Sequence, residues 1–302
     1  MKAIAIFLIL SLGSIADSLS QSVDYKSSIL WEIRLNDTSK PSYILGSCHL
    51  LDSSDYRFPF DTIYKLIDDV KFLFVEIDSF ERFDKTYALY KYIFNSEPKA
   101  NIKATLGRHY FRELKKHLKK NSISSKNKVL SRFNPLYLSH VISLNNFAGN
   151  FKSPFFMDFQ LENYARKKAF EVRSLEKLTD QLNYLYPSEI TFDSGIVILK
   201  EHLDKMENTI GNDTIPDRTN IAQNYYDQDF KLSIDSFNEN ERQIMTQRNK
   251  AMFSYIDRAL ENRRIFVVVG VAHLWFEFGL LKLLSDKGYV IRPMKITIQK
   301  KN

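Results

Sequence analysis

The stretch Ser42-Tyr-Ile-Leu-Gly-Ser-Cys-His49 is the part of the sequence around which the fold is predicted. Three strand-forming residues lead into Gly46, and a histidine follows three positions later. Glycine adopts backbone angles that other residues avoid, so it suits a sharp turn at the end of a strand. We therefore expect His49 to point over the end of a sheet instead of into its core.

The same pattern returns near the C-terminus as Phe266-Val-Val-Val-Gly-Val-Ala-His273. The run Ile265 to Val269 is continuous, apolar and rich in β-branched residues, which is typical of a strand buried on both faces. A single Gly-x-x-His arises easily by chance, whereas a second copy on another hydrophobic strand is harder to explain that way. Cys48, the single cysteine of the chain, is interpreted as a small packing residue in the first turn.

The segment Phe72 to Asp78 predicts another strand, and this one ends in acidic residues. Period-two alternation puts Glu76 and Asp78 on the same face of that strand as Phe72 and Phe74. A pair of carboxylates at the end of an otherwise apolar strand is costly unless charged groups, a metal ion or hydrogen-bond donors accompany it.

The remaining segments complete an α/β pattern. A polar turn joins Leu30–Arg34 to Tyr43–Leu45 as a strand pair. A helix is predicted over Glu241–Leu260. After the strand Ile265–Val269, a helix over Gly279–Asp286 leads to a last strand near Tyr289–Arg292. This order of strand, helix and strand suggests a parallel crossover unit. The segment from about residue 80 to 240 is helix-rich. We expect a central mixed β-sheet with flanking helices, two strand-Gly-x-x-His turns and a helical insertion in the middle.

The first 16 residues are typical of a secretory signal peptide. Lys2 supplies the positive charge, Ala3 to Leu12 the apolar region, and Ser14-Ile15-Ala16 a small-x-small cleavage site. The apolar run is shorter than the about 20 residues needed to span a bilayer. The expected protein is exported, periplasmic or secreted, with residues 17–302 forming one domain and no stable transmembrane segment after cleavage. A net charge of +7, spread along the chain, gives little support to nucleic-acid binding.

The two Gly-x-x-His motifs, Val75-Glu76-Ile77-Asp78 between them and Arg248-Asn249 before the second together resemble the TraB/GumN family, which is related to the Tiki metalloproteases. The resemblance covers the chain from about Leu30 to Met294. It implies a single Tiki-like catalytic domain.

Several positions depart from the pattern of that family. The second motif usually continues Leu-x-Gly-x-x-Gly, and here Leu274 and Gly279 match but Phe276 replaces the first glycine. Glycines usual around the segment that ends in Leu175-Glu176 are also replaced, which leaves a site role for Glu176 open. The residues in their places are Met157, Ala169 and Ser174.

His49, Glu76 and His273 are the predicted metal ligands, because all three are expected at the carboxyl ends of strands, where ligands of α/β sheets bind. Imidazoles with a carboxylate are a frequent ligand set for divalent transition metals such as Mn, Co or Zn, and such a metal makes hydroxide available at neutral pH. Glu76 is alternatively the general base, with Asp78 or another group as ligand. Arg248 is predicted to stabilise an oxyanion or a substrate carboxylate, or to form a salt bridge to Glu76 or Asp78.

The leading functional hypothesis is metal-dependent hydrolysis of a peptide bond in a peptide or protein substrate by an exported enzyme. The alternative is a non-catalytic exported protein that binds a metal, a peptide or a signalling molecule in the same cleft. A third hypothesis is hydrolysis of a non-peptide ester or amide.

Overall fold

The computed structural model describes residues 28–48, 50–79, 86–95, 97, 100–120, 127–148, 151–209, 224–228 and 239–301. The predicted signal peptide, residues 1–16, and the predicted ligand His49 lie outside the described residues. Within the described part of the chain, no helix is both long enough and apolar enough to cross a membrane.

The described residues fall into two compact units. The sheet unit comprises residues within Ser11–Phe80, Lys152–Lys177 and Thr219–Asn302, and the helical unit comprises residues within Glu81–Phe151 and Leu178–Arg218. The predicted α/β class with a mixed central sheet is confirmed.

Ten strands and ten α-helices are named here within the described residues. The strands are β1 (Leu30–Arg34), β2 (Ser42–Ser47), β3 (Leu51–Asp52), β4 (Tyr56–Arg57), β5 (Phe72–Val75), β6 (Pro154–Phe155), β7 (Glu171–Ser174), β8 (Phe266–Gly270), β9 (Val290–Met294) and β10 (Gln299–Lys300). The helices are α1 (Phe60–Val70), α2 (Thr86–Ile93), α3 (Ile102–Lys120), α4 (Asn127–Leu130), α5 (Pro135–Ala148), α6 (Met157–Lys167), α7 (Leu178–Leu185), α8 (Phe192–Thr209), α9 (Glu239–Leu260) and α10 (Leu280–Asp286).

The central sheet of the sheet unit has the strand order β7-β5-β8-β2-β1-β9. Strands β7, β5, β8 and β2 are mutually parallel, and β1 is antiparallel to both of its neighbours, β2 and β9. Strand β9 therefore runs in the direction of β8, as the predicted crossover requires, but β2 and β1 lie between the two strands. The parallel strands end at one edge of the sheet, where the candidate site forms.

Helices cover both faces of this sheet. Leu73 and Val75 of β5 pack with apolar residues of α1 and α6, such as Ile67 and Leu161. On the other face, Phe72 and Phe74 of β5 pack with apolar residues of α9 and α10: Met252, Ile256, Leu281 and Leu284. The alternation predicted for this strand is thus confirmed over its four residues, and all four are buried.

The helical unit has a core of its own, to which α3, α5 and α8 contribute. Helix α5 packs on α8, and α8 packs on α3. Apolar side chains at helical spacing fill the space between them, among them Leu106, Leu114, Leu138, Ile142, Ile196 and Leu199. Gly107, with φ of +83°, interrupts the helical backbone near the start of α3.

Gly288 lies at the C-terminal end of α10, where it closes the helix. Its φ is +100°, in the region that favours glycine. The N–H of Tyr289 donates to the carbonyl of Leu284 (3.1 Å) and the N–H of Gly288 to that of Ser285 (2.9 Å), which are the two hydrogen bonds of a Schellman motif.

Candidate functional site

The carboxyl ends of adjacent parallel strands bring three of the polar residues together. Glu76 follows β5, Glu176 follows β7, and His273 ends a short 3-10 turn after β8. The N–H of Glu176 donates to the carbonyl of Glu76 (2.9 Å), so the two segments continue their pairing past the strands. Strand β2, which leads towards His49, lies beside β8 and pairs Ser47 with Gly270.

Gly46 is required for steric reasons. A Cβ placed there would lie 2.7 Å from Leu274 Cδ1 and 2.8 Å from Val271 Cγ2, because the turn after β8 crosses directly over β2. Gly46 lies inside β2, and Gly270, at the end of β8, has φ of −54°. The prediction that these glycines are needed for their special backbone angles is therefore wrong. Gly46 is needed because the turn after β8 approaches it too closely for a side chain.

Two consecutive tyrosines from residues 224–228 hold the segment on either side of His49. The hydroxyl of Tyr225 donates to the carbonyl of Gly46 (2.8 Å), and that of Tyr226 donates to the carbonyl of Asp52 (2.5 Å). Cys48 is buried there, and burial raises the pKa of its thiol to about 12. The thiol is thus neutral at physiological pH.

Glu76 is buried, and both of its carboxylate oxygens have donors. Oε1 accepts a hydrogen bond from the N–H of Gly270 (2.5 Å), and Oε2 accepts one from Arg248 Nη2 (3.3 Å). These bonds fix the plane of the carboxylate, with Oε1 turned towards β8 and the turn that follows it.

Asp78 does not stay with Glu76, contrary to the predicted pair on one face. Strand β5 ends at Val75, three residues early, so the alternation does not reach Asp78. Its carboxylate accepts from Arg166 of α6, whose Nε also donates to Glu162 (2.9 Å). Helices α6 and α9 pack on opposite faces of the sheet, and the two carboxylates therefore diverge.

Arg248, in the middle of α9, lies between two carboxylates. Its Nε donates to Glu176 Oε1 (2.8 Å) and its Nη2 to Glu176 Oε2 (2.9 Å), while Nη2 also reaches Glu76. The three side chains are at most 5% exposed. Of the two salt-bridge partners predicted for Arg248, Glu76 is in contact with it and Asp78 is not, and the closer partner of Arg248 is Glu176.

The next residue along α9, Asn249, orients the imidazole of His273. Asn249 Nδ2 donates to the carbonyl of Phe278 (2.8 Å), so its Oδ1 faces His273 Nδ1 at 2.6 Å. Because Oδ1 only accepts, this network assigns the proton of the neutral imidazole to Nδ1. The lone pair is then on Nε2, which lies 3.6 Å from Glu76 Oε1.

The structure brings two of the three predicted metal ligands, Glu76 and His273, close to each other. Among the described residues, no group of three or more His, Cys, Asp or Glu side chains lies close enough together to hold an ion. His49 lies outside the described residues and so outside that search. The pair that the structure does bring together fits a divalent ion, because an imidazole lone pair and a carboxylate oxygen face each other. Asn249 supplies the outer hydrogen bond that usually orients a ligating histidine.

The model of the TraB/PrgY/gumN family matches residues 29–293. The chain belongs to this family. No curated protein and no solved structure matches the chain significantly. The match spans both Gly-x-x-His motifs of this TraB/PrgY/gumN protein, the β5 segment and the Arg248-Asn249 pair.

Two residues of the site had no role assigned from the sequence. Glu176 binds Arg248. The sequence signal that could have identified Glu176 is its position shortly after the short strand β7, which matches the position of Glu76 after β5. Asn249 orients His273, and it was visible only as the neighbour of Arg248 in the family motif. Neither partnership follows from spacing, since the pairs are separated by 72 and 24 positions.

Two replaced glycines of the family pattern keep a left-handed backbone. Ala169 has φ of +58° and Phe276 has φ of +73°. Ala169 follows α6 in a Schellman motif, with the N–H of Phe170 bonded to the carbonyl of Ala165 and its own N–H to that of Arg166 (both 2.9 Å). Phe276 lies three residues after His273.

Proposed function

We propose that this TraB/PrgY/gumN protein is an exported metal-dependent hydrolase that cleaves peptide bonds. The observation that carries the proposal is the pair His273 and Glu76, whose Nε2 and Oε1 face each other at the carboxyl ends of parallel strands. Membership of the family and the position of β2, which leads to His49, support the same site.

In this proposal His49, His273 and Glu76 hold a divalent transition metal such as Mn, Co or Zn. A metal of this kind, when bound, polarises a carbonyl and lowers the pKa of water towards about 7. The protein's own contribution is orientation. Asn249 keeps the lone pair of His273 on Nε2, and the N–H of Gly270 keeps Glu76 Oε1 turned towards it.

Arg248 acts on this site through Glu76. Its fork is bidentate to Glu176, which fixes the guanidinium, and one nitrogen of the fork then reaches Glu76 Oε2. The guanidinium compensates the negative charge that Glu76 carries when it acts as a metal ligand or a general base. We therefore assign Arg248 to positioning Glu76 and not to stabilising an oxyanion or a substrate carboxylate.

A second candidate is a non-catalytic exported protein that binds a metal or a peptide. Burial favours it, because His273 is 0% exposed and Glu76 is 4% exposed. A hydrolase must admit a substrate to the groups that react, whereas a structural or regulatory ion is held best when its ligands are buried.

Metal analysis tests the site. Protein purified without chelator is expected to carry a transition metal, and His49→Ala and His273→Ala are each expected to lose it. His109→Ala is the matched control, because His109 is exposed on α3 in the helical unit. Unchanged metal content in both site variants, at the level of the control, would rule out the proposed site.

A peptide-library cleavage assay separates the enzyme from the binder. If Glu76 is the general base, Glu76→Gln keeps the metal and lowers turnover by about 10²–10⁴-fold. If Glu76 is a ligand, the same change also weakens metal binding, because the neutral amide is a poorer donor. A metal-loaded wild-type protein that cleaves nothing across a diverse library would establish the binding role.

Export is tested at the N-terminus. The mature chain is expected to begin near Asp17 when the protein is made in a host with a secretion pathway, because Ser14-Ile15-Ala16 is a small-x-small site. Mass spectrometry of the exported protein provides the answer. Retention of Met1 would contradict cleavage.

A further inference from the structure

The outer face of α3 in the helical unit is strongly basic. The inner face carries Ile102, Leu106, Leu114 and Leu118, which are buried in the core of that unit. The exposed charged residues described on the helix are all basic: Lys103, Arg108, Arg112, Lys115, Lys116 and Lys119. The helix has a single acidic residue, Glu113, which is 7% exposed and lies beside Lys116 (3.1 Å).

Four of these cations form a row. At 100° per residue, Arg108, Arg112, Lys115 and Lys119 lie within an arc of about 60° and extend over about 16 Å of helix. The pKa of Glu113 is lowered, chiefly by its hydrogen bond to Lys116 and also by Arg112, which reflects the positive surroundings. We call these four residues the basic row.

Local helix stability does not account for the whole row. Gly107 interrupts the helical backbone, so Arg108 begins the regular part of α3. The helix dipole disfavours cations in a first turn and favours them in the last, which explains Lys119 but not Arg108. Arg112 and Lys115 lie between these ends, on the exposed surface.

We propose that the basic row is a docking surface for an anionic lipid membrane. Charge complementarity supports this partner, because a flat lipid surface offers many anionic headgroups to flexible, exposed cations without demanding a pocket. The apolar face of α3 is buried in the protein, so contact is electrostatic and does not involve insertion. Nucleic acid fits less well, since single strands need aromatic platforms and no exposed Phe, Tyr or Trp is described on α3.

The neighbouring helix α8 carries both acidic and basic residues. Its Asp204 accepts a hydrogen bond from Tyr110 of α3 (3.0 Å), and Lys200 lies 5.4 Å from the centre of the Tyr110 ring. Glu201 of α8 is exposed. Contact is expected to weaken as salt rises, because charges separated by more than about 8 Å are screened at physiological ionic strength.

Vesicle sedimentation with the full chain tests the proposal. The vesicles contain equal parts of phosphatidylglycerol and phosphatidylcholine, at low salt. The triple variant Arg108→Glu, Lys115→Glu, Lys119→Glu is expected to lower the partition coefficient at least about a hundredfold, because each basic residue near an anionic surface contributes a factor of about five. Wild type and variants share the same N-terminal segment, so a difference in their vesicle binding is caused by the substitutions in α3.

The matched control changes the net charge equally elsewhere. Lys65, Lys250 and Lys295 are exposed in the sheet unit, and their replacement by Glu is expected to leave most of the binding intact. Equal sedimentation of wild type and the α3 variant would overturn the proposal, as would an equal loss in the control. Preferential transfer of wild type from vesicles to a soluble polyanion such as heparin would also overturn it. If the Glu variant does not fold, Gln at the same three positions replaces it.

Discussion

Replacing Arg248 with Met removes the cation that two buried carboxylates share. Arg248 makes charge-assisted hydrogen bonds to Glu176 at 2.8 and 2.9 Å and a longer one to Glu76 at 3.3 Å. Methionine fills a similar space but offers no donor. The variant therefore leaves two carboxylates close together in a region where the side chains are at most 5% exposed.

The expected loss is about 3–5 kcal/mol of unfolding free energy, the usual cost of breaking a buried ion pair by removing one partner. For a chain of 302 residues, with an unfolding entropy of about 2.1 cal/mol/K per residue, this loss corresponds to a melting temperature lowered by about 5–8 °C. Differential scanning calorimetry measures the change. The same substitution at Arg292 is the control, because its pair with Asp37 is 54% and 72% exposed and such pairs contribute at most about 1 kcal/mol.

Two further variants sharpen the test. Arg248→Lys keeps the charge but loses the planar fork, so its melting temperature is expected between those of wild type and Arg248→Met. Glu176→Gln added to Arg248→Met removes one stranded charge and is expected to restore part of the loss. Equal, small shifts for Arg248→Met and Arg292→Met would refute the assignment of Arg248 to positioning.

Three other predictions follow from the backbone and the buried groups. Ala169→Gly is expected to raise the unfolding free energy by about 1 kcal/mol in urea titrations, because an L-residue is strained at positive φ. Gly288 occupies the equivalent position after α10, and Gly288→Ala is expected to lower the unfolding free energy by a similar amount. Gly46→Ala is expected to lower the melting temperature markedly, because its Cβ would lie 2.7 Å from Leu274; an unchanged melting temperature would contradict the close approach. Burial, with His202 nearby, lowers the pKa of His140 from 6.5 to about 4. The unfolded chain thus binds an extra proton between these values, so stability falls as pH drops from 6.5 to about 4, and His140→Phe is expected to reduce that slope in acid titrations.

Elements with a strong local pattern were predicted close to their observed limits. The helix predicted over Glu241–Leu260 spans Glu239–Leu260, and the strand predicted over Ile265–Val269 spans Phe266–Gly270. Both are long or strongly apolar, and their periodicity leaves few alternatives. The end of β5 was missed because Ile77 continues the alternation in the sequence, although the strand itself ends at Val75.

The strand ends of the candidate site were predictable, but the partners of its side chains were not. Hydrophobic strands followed by Glu76 and His273 place these residues at one edge of a parallel sheet. The pairing of Arg248 with Glu176, 72 positions apart, depends on how α9 packs over β5 and β7. No local spacing contains that information, because packing between distant elements decides it.

In the loop after His273, a departure from the family motif lowers stability but leaves the hydrogen bond that orients His273 in place. Phe276 stands where the family pattern has glycine, and it keeps a φ of +73° that glycine adopts without strain. The loop still brings the carbonyl of Phe278 to Asn249 (2.8 Å), and Gly279 still approaches the carbonyl of Trp275 so closely that a Cβ would lie 2.1 Å from it. The hydrogen bond that orients His273 is therefore maintained despite the substitution. The cost is that of one residue in a sparsely populated backbone region, about 1–3 kcal/mol. Such strain persists only where the surrounding contacts over-determine the loop, and here those contacts include the hydrogen bond from Asn249 to the carbonyl of Phe278.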